Sequence, residues 1–427
     1  MRRFRFSDPD FETAFSAFIE ERRETPEEVD AVVRDVIAAV RSEGLSALLR
    51  FAQDFDRVAL DEQTIRVSEA EIEDGAAACP QAVRDAIAFA ADRIRSYHAR
   101  QRPADLRFTD EAGVELGWRW TALEAVGIYV PGGRAAYPST VLMNAVPAAV
   151  AGVERIAMVT PPGRLQPAVL AAAKAAGVHE IWRVGGAQAV AALAYGAGPI
   201  RPVDKIVGPG NAFVTAAKRR VYGAVGIDAL AGPSEIVVVA DGANRPEWIA
   251  ADLLSQAEHD PAAQSILITD DEAFAASVEA AVEAQLQALT TGDDAAASWR
   301  DHGAVVIAPL DEAPGLVDRI APEHAEFAVE DPERLADRVR HAGAIFLGRH
   351  TPEAIGDYVA GSNHVLPTSR AARFSSGLSL YDFLKRTSIV KCDEAAFARL
   401  APATVALAEA EGLPAHARSA AIRMGQG

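Results

Sequence analysis

From Gly127 onward the chain repeats one short grammar: an apolar run, a Gly/Pro turn, then a helical stretch. Ile128-Tyr129-Val130 leads into Pro131-Gly132-Gly133, and Ile156-Ala157-Met158-Val159 into Pro161-Pro162-Gly163 with an Ala-rich stretch up to Gly177. Ile181-Trp182-Arg183-Val184 leads into Gly185-Gly186, and Ile206-Val207 into Gly208-Pro209-Gly210 with a helix through Arg220. Strands that alternate with helices have crossover connections, and crossovers make parallel sheets. The pattern returns after Pro233, with strand candidates at 236–239, 266–268, 305–307, 327–329 and 345–347. The expectation is an α/β protein with two such domains. Residues 1 to about 105 read as helical, residues 114–120 alternate with the period of a strand, and the Ala-rich tail from about 380 reads as helical. That tail packs on its own subunit or reaches across to a partner.

At roughly 150 residues per domain, 427 residues also allow two or three domains. The net charge of −18, without a long basic stripe, excludes a phosphate backbone as partner. Cys79 and Cys392 are too few for a disulfide scaffold, lie in no catalytic motif, and fit buried thiols in a reducing compartment. The basic start, Met1 to Arg5, is followed by acids and not by an apolar core, so it is no signal peptide. The most apolar stretch, 145–153, is far shorter than the ~20 residues of a membrane span. These features lead us to expect a cytoplasmic protein with neither a membrane nor a nucleic acid as partner.

Four segments carry chemistry. Ser255-Gln256-Ala257-Glu258-His259-Asp260 ends a helical stretch, and residues three apart share a helix face, so Gln256 and His259 can point at one metal ion. A polar helix end explains the same spacing equally well. Ala321-Pro322-Glu323-His324-Ala325-Glu326 places a carboxylate next to an imidazole, two bases with ordinary values of about 4.3 and 6.5. Gly356 to Thr368 brings Asp357 and His364 into a turn-rich connector. Glu411 and His416 flank a helix start at Pro414. Of nine histidines, His259, His324, His364 and His416 have Gln, Glu or Asp close by in such settings, and the other five do not. The glycines of Gly208-x-Gly210 and Gly185-Gly186-Ala187-Gln188 lack the third glycine of the usual dinucleotide fingerprint. By spacing alone, tight βα turns explain them better than a cofactor does.

Together these segments resemble histidinol dehydrogenase, over nearly the whole chain and in the family's order. The further matches are Val130-Pro131-Gly132-Gly133, Gly185 to Ala189, Val207 to Asn211, Ala231-Gly232-Pro233-Ser234-Glu235 and Phe374-Ser375-Ser376-Gly377-Leu378-Ser379. The resemblance implies two incomplete Rossmann-like domains with parallel sheets, plus helical N- and C-terminal segments swapped in a dimer. It places an N-terminal segment at 1–25, a discontinuous catalytic α/β domain at 26–126 and 234–379, an inserted NAD-binding domain at 127–233, and a tail at 380–427. It implies oxidation of L-histidinol to L-histidine through the aldehyde, with two NAD+ and one Zn2+ per subunit. Gln256, His259 and Asp357 would bind zinc, with His416 arriving from the other subunit of a homodimer. His324 would be the proton-accepting base, and Glu323 would activate water at the aldehyde stage. Ser234, His364 and Glu411, together with the zinc residues and His324, would contact substrate, and Tyr129, Gln188 and Asn211 would contact NAD. The lack of a cysteine in the site agrees with a hydrated aldehyde and not a thioester. Ala325 stands where a larger apolar residue is expected. A related enzyme of another small alcohol and a silent metal-binding scaffold are the competing readings. Glu411 and His364 argue against the first, and the intact Glu323–His324 pair against the second.

Overall fold

The computed structural model describes residues 1–21, 27–132, 137–163 and 165–425. Gly133 of the first turn, the boundary expected between 25 and 26, and the last two residues lie outside the described residues.

Strand β1 (Arg2–Arg5) opens the chain, and helices from Phe11–Glu20 to Gln81–Ala99 follow. Then come β2 (Leu106–Thr109), β3 (Glu115–Ala122), β4 (Ala125–Tyr129), β5 (Arg155–Thr160), β6 (Glu180–Arg183), β7 (Lys205–Val207) and β8 (Gly226–Ile227). The second half holds β9 (Glu235–Ala240), β10 (Gln264–Thr269), β11 (Ala304–Ile307), β12 (His324–Ala328), β13 (Ala344–Leu347) and β14 (Leu384–Lys391). The chain divides into two compact units, one of Met1–Gln101 with Leu123–Phe383, the other of Arg102–Ala122 with Leu384–Gly427.

The first unit contains both expected parallel sheets. One runs β6-β5-β4-β7-β8, the other β1-β11-β10-β9-β12-β13, and every pairing in them is parallel. All residues of β4, β9, β10 and β12 are buried. Helices cover both faces of such a sheet, so its central strands read as continuous apolar runs and not as alternation. In the first sheet the strand order reverses at β4, and a ligand crevice opens at the carboxyl ends of strands where that happens. Tyr129 is the last residue of β4.

The second unit contains the antiparallel sheet β14-β3-β2, then helices Glu394–Ala410 and Pro414–Ala421. The strand expected at 114–120 is β3, and its partners are β2 and β14, not the later parallel strands. The tail opens with a short 3-10 helix, Leu380–Phe383, but its α-helices start only at Glu394, because Leu384–Lys391 forms a strand along the full length of β3. The helical reading of the first 105 residues likewise missed β1, which adds to the edge of the six-stranded sheet beside β11.

Candidate active site

Helix Ala313–Ile320 ends at Ala321, whose φ of 50° is left-handed, an uncommon conformation for a residue with a side chain. Pro322 follows, and Glu323 and His324 enter at the amino end of β12. Register places His324 opposite Ile236 of β9, next to Glu235. The backbone of Glu235 then serves both groups. Its N–H donates to Glu323 Oε2 at 3.0 Å, and its carbonyl accepts from His324 Nδ1 at 3.0 Å. A carbonyl only accepts, so Nδ1 carries the hydrogen and Nε2 holds the lone pair of the neutral ring. Nε2 is buried without a hydrogen-bond partner among the described residues. It faces Asp357 Oδ1 at 3.6 Å and Glu353 Oε1 at 3.8 Å, ion-pair distances too long for hydrogen bonds.

Burial pushes the Glu323 carboxyl up to about 8. Burial pulls the His324 imidazole down, but the Glu323, Glu353 and Asp357 carboxylates outweigh it and hold the ring up at about 10. Asp357 shows the converse. Burial works to raise it, and His324, His364 and His259 bring it below the ordinary carboxylate value. Burial raises Glu353 and lowers His364. Behind this cluster, burial lifts Asp252 to about 6 and Glu326 well above its usual range, the latter helped by Asp252 beside it.

The structure therefore brings Glu323, His324, Asp357 and His364 together, with His259 close enough for its charge to act on Asp357. His364 Nδ1 donates to the Asp357 carbonyl at 3.1 Å. Gln256 is buried in helix Pro246–Ala257, and its Oε1 has no partner among the described residues. His259, just past that helix, is exposed and donates from Nδ1 to the Ser255 carbonyl at 2.8 Å. Ser234 is half-buried directly before β9, and its carbonyl accepts from Gln264 N at 2.9 Å. Glu411 and His416 are exposed and belong to the second unit.

Sequence reasoning missed Glu353. It sits in the short helix Glu353–Ile355, which runs into a π-helical turn, Gly356–Ala360, holding Asp357. Two acids four apart on one helical stretch were the available signal. Ser255 Oγ donates to Glu353 Oε2 at 2.9 Å and ties this carboxylate to the helix of Gln256.

His324, Glu353 and Asp357 place ligand atoms within 4.8 Å of one another. With the orphaned Gln256 Oε1, the Asp357 and Glu353 oxygens, joined by an imidazole nitrogen, fit zinc or another divalent transition metal, and an ion held there would lie beside His324. Asp357 is common to this cluster and to the ligand set expected from the sequence.

A second locus lies at the carboxyl end of β4. Tyr129 is buried, which pushes its hydroxyl up to about 12, and that hydroxyl accepts from Gly186 N at 3.0 Å. Helix Gly186–Tyr195 starts there without a side-chain cap, and Gln188 lies in its first turn. Uncapped amides behind a glycine turn suit a pyrophosphate. Asn211 starts helix Ala212–Val221, its Oδ1 accepting from Phe213 N and Val214 N at 3.1 and 3.2 Å.

A glycine turn opening a helix at the switch point of one sheet and a buried acid–base pair on the other suit an α/β dehydrogenase. Similarity to known proteins narrows it. The sequence model of the histidinol dehydrogenase family matches residues 19–424, so the chain belongs to that family, whose members are NAD-dependent oxidoreductases. A curated histidinol dehydrogenase of Caulobacter vibrioides is 78% identical over 427 residues, 100% of both chains. One from Mesorhizobium japonicum is 63% identical over 98% of each chain. The crystal structure of histidinol dehydrogenase from Elizabethkingia anophelis superposes with a TM-score of 0.94 at 35% identity, covering 100% of this chain and 98% of that one.

Proposed function

We propose that this chain oxidises L-histidinol to L-histidine with two NAD+, and that Glu323 and His324 move the protons. The observation that carries this reading is the backbone of Glu235, whose N–H and carbonyl hold the two bases and leave His324 Nε2 buried and open. In the first step the substrate hydroxyl gives its proton to Nε2 while the carbinol carbon gives a hydride to NAD+. Glu323 then takes a proton from water as it adds to the aldehyde. The hydrate gives its hydride to a second NAD+, and His324 again accepts the hydroxyl proton. The balance is alcohol, water and two NAD+ to carboxylate, two NADH and three protons. Cys79 is buried and Cys392 is exposed, not buried as expected, and neither lies in a segment that carries a proposed site residue, which supports a hydrate route without a thiol.

Gln256, His259 and Asp357 would hold zinc, with Glu353 and His324 at its side and His416 of the partner subunit completing the set. A bound zinc supplies charge that orients the imidazole and amino nitrogens of the substrate. Ser234, His364 and Glu411 would line the substrate, and Tyr129, Gln188 and Asn211 the dinucleotide.

His324→Asn and Glu323→Gln separate chemistry from metal holding. Each variant is expected to lose roughly 10²–10⁴-fold in kcat, the usual worth of a positioned acid–base group, while zinc content stays near one per subunit. Unchanged turnover in both variants would remove the assigned roles.

A further inference from the structure

Lys218 lies in helix Ala212–Val221 with only 2% of its surface exposed, and its ammonium pairs with Asp228, which follows β8. Removing two charges from water costs much of what their attraction returns, and well-packed apolar side chains commonly serve stability as well. The value of this pair therefore lies in what else it holds. Asp228 Oδ2 accepts from Gly208 N at 2.8 Å, and Lys218 Nζ donates to the Gly208 carbonyl at 3.1 Å. Both polar backbone atoms of one residue are gripped by the two members of one ion pair. Gly208 needs such a grip. Its φ of +109° is closed to residues with a side chain, and a Cβ there would strike the Tyr129 carbonyl oxygen.

We propose that Lys218 and Asp228 are positioning residues for the dinucleotide: a buried clasp that presets the Gly208-Pro209-Gly210 turn. This rests on the reading that NAD binds at this turn. The clasp fixes the first residue of the turn, and Asn211, directly after the turn, caps the next helix. Asp228 is itself anchored, its N–H donating to the Ile206 carbonyl at 3.2 Å, which joins the clasp to β7. Lys218 is too deeply buried to meet a phosphate directly, so it acts through the backbone. A turn ordered in advance spares the cofactor the cost of ordering it.

The test uses the full-length, zinc-loaded protein, with NADH as a fluorescent probe beside steady-state kinetics. Lys218→Met/Asp228→Leu removes both charges and keeps apolar volume. Lys218→Met/Asp228→Asn keeps an acceptor for Gly208 N. The first double variant is expected to hold its thermal midpoint, its zinc content and its KM for histidinol. Its NADH dissociation constant and its KM for NAD+ should both rise about tenfold or more. The Asn variant should recover part of that loss. A folded Met/Leu variant with NADH affinity within about twofold of the parent overturns the proposal. If only the Asn variant folds, its NADH affinity decides by the same margin. If neither folds, the pair serves the fold and not the turn, and the proposal falls. Gln188→Ala is the control. If it weakens NADH binding and the clasp variants do not, the clasp alone is wrong; if none of them weakens it, the NAD assignment falls as well.

Discussion

The two nitrogens of His324 face different groups. Nδ1 is committed to the Glu235 carbonyl, and Nε2 looks toward Asp357 and Glu353. This division makes one nitrogen the base and fixes its direction. Metal-free, the surrounding carboxylates keep the ring protonated, with a value near 10. A dication shared among those carboxylates would take up their charge and free the ring to act as a base near neutrality. The sign of the pH effect follows. The folded state keeps the His324 proton longer than the unfolded chain does. Its stabilisation is complete below 6.5 and fades as the pH rises through about 10. Glu323, raised from 4.5 to about 8, also keeps the folded state richer in protons, so stability falls with rising pH there too. Metal-stripped protein should thus lose thermal midpoint between about pH 6.5 and 10, and His324→Asn should lose less over the same range. Parallel curves for the two proteins would contradict this electrostatic picture. The pair was legible because Glu323 and His324 adjoin in sequence. Glu353 was not, since it reaches His324 only through the fold, 29 positions away (353 − 324).

At the scale of elements, β4, β9, β10 and β12 could be read directly, because complete burial demands unbroken apolar runs. The strands that escaped notice lack that requirement. β1 is an edge strand of sequence RRFR, and β14, LKRTSIVK, is largely exposed and gains its place from backbone pairing with β3. Neither the missing third glycine at Gly208-x-Gly210 nor a strand period signals a cofactor. The clasp and the uncapped helix at Gly186 emerge only when distant segments meet. β12 matters most, because it carries the base at its start and packs through Phe327, a fully buried side chain. Phe327→Ala should cost about 3–5 kcal/mol in urea denaturation, the range for emptying a buried aromatic position. A loss below about 1 kcal/mol would mean that β12 is not packed as described.

On the scale of the whole molecule, no helix among the described residues is long and apolar enough to cross a membrane. Glu411 and His416 lie in the second compact unit, and the role proposed for His416 calls for a partner subunit. Subunit mixing tests this. His416→Ala and His259→Ala homodimers should each be inactive. After exchange, about half the dimers are hybrids with one intact site out of two, so about a quarter of full activity should return. No recovery despite proven exchange would count against a shared site. The sequence could not decide between a tail that stays home and one that crosses, because both bury the same Ala-rich helix. The central claim is a four-electron, metal-assisted oxidation of histidinol at the Glu323–His324 site. Its most direct test is to count NADH and histidine formed from L-histidinol and NAD+, before and after metal stripping. Two NADH per histidine are expected, lost on stripping and restored by zinc. A folded, zinc-loaded protein that releases no NADH from histidinol would contradict it.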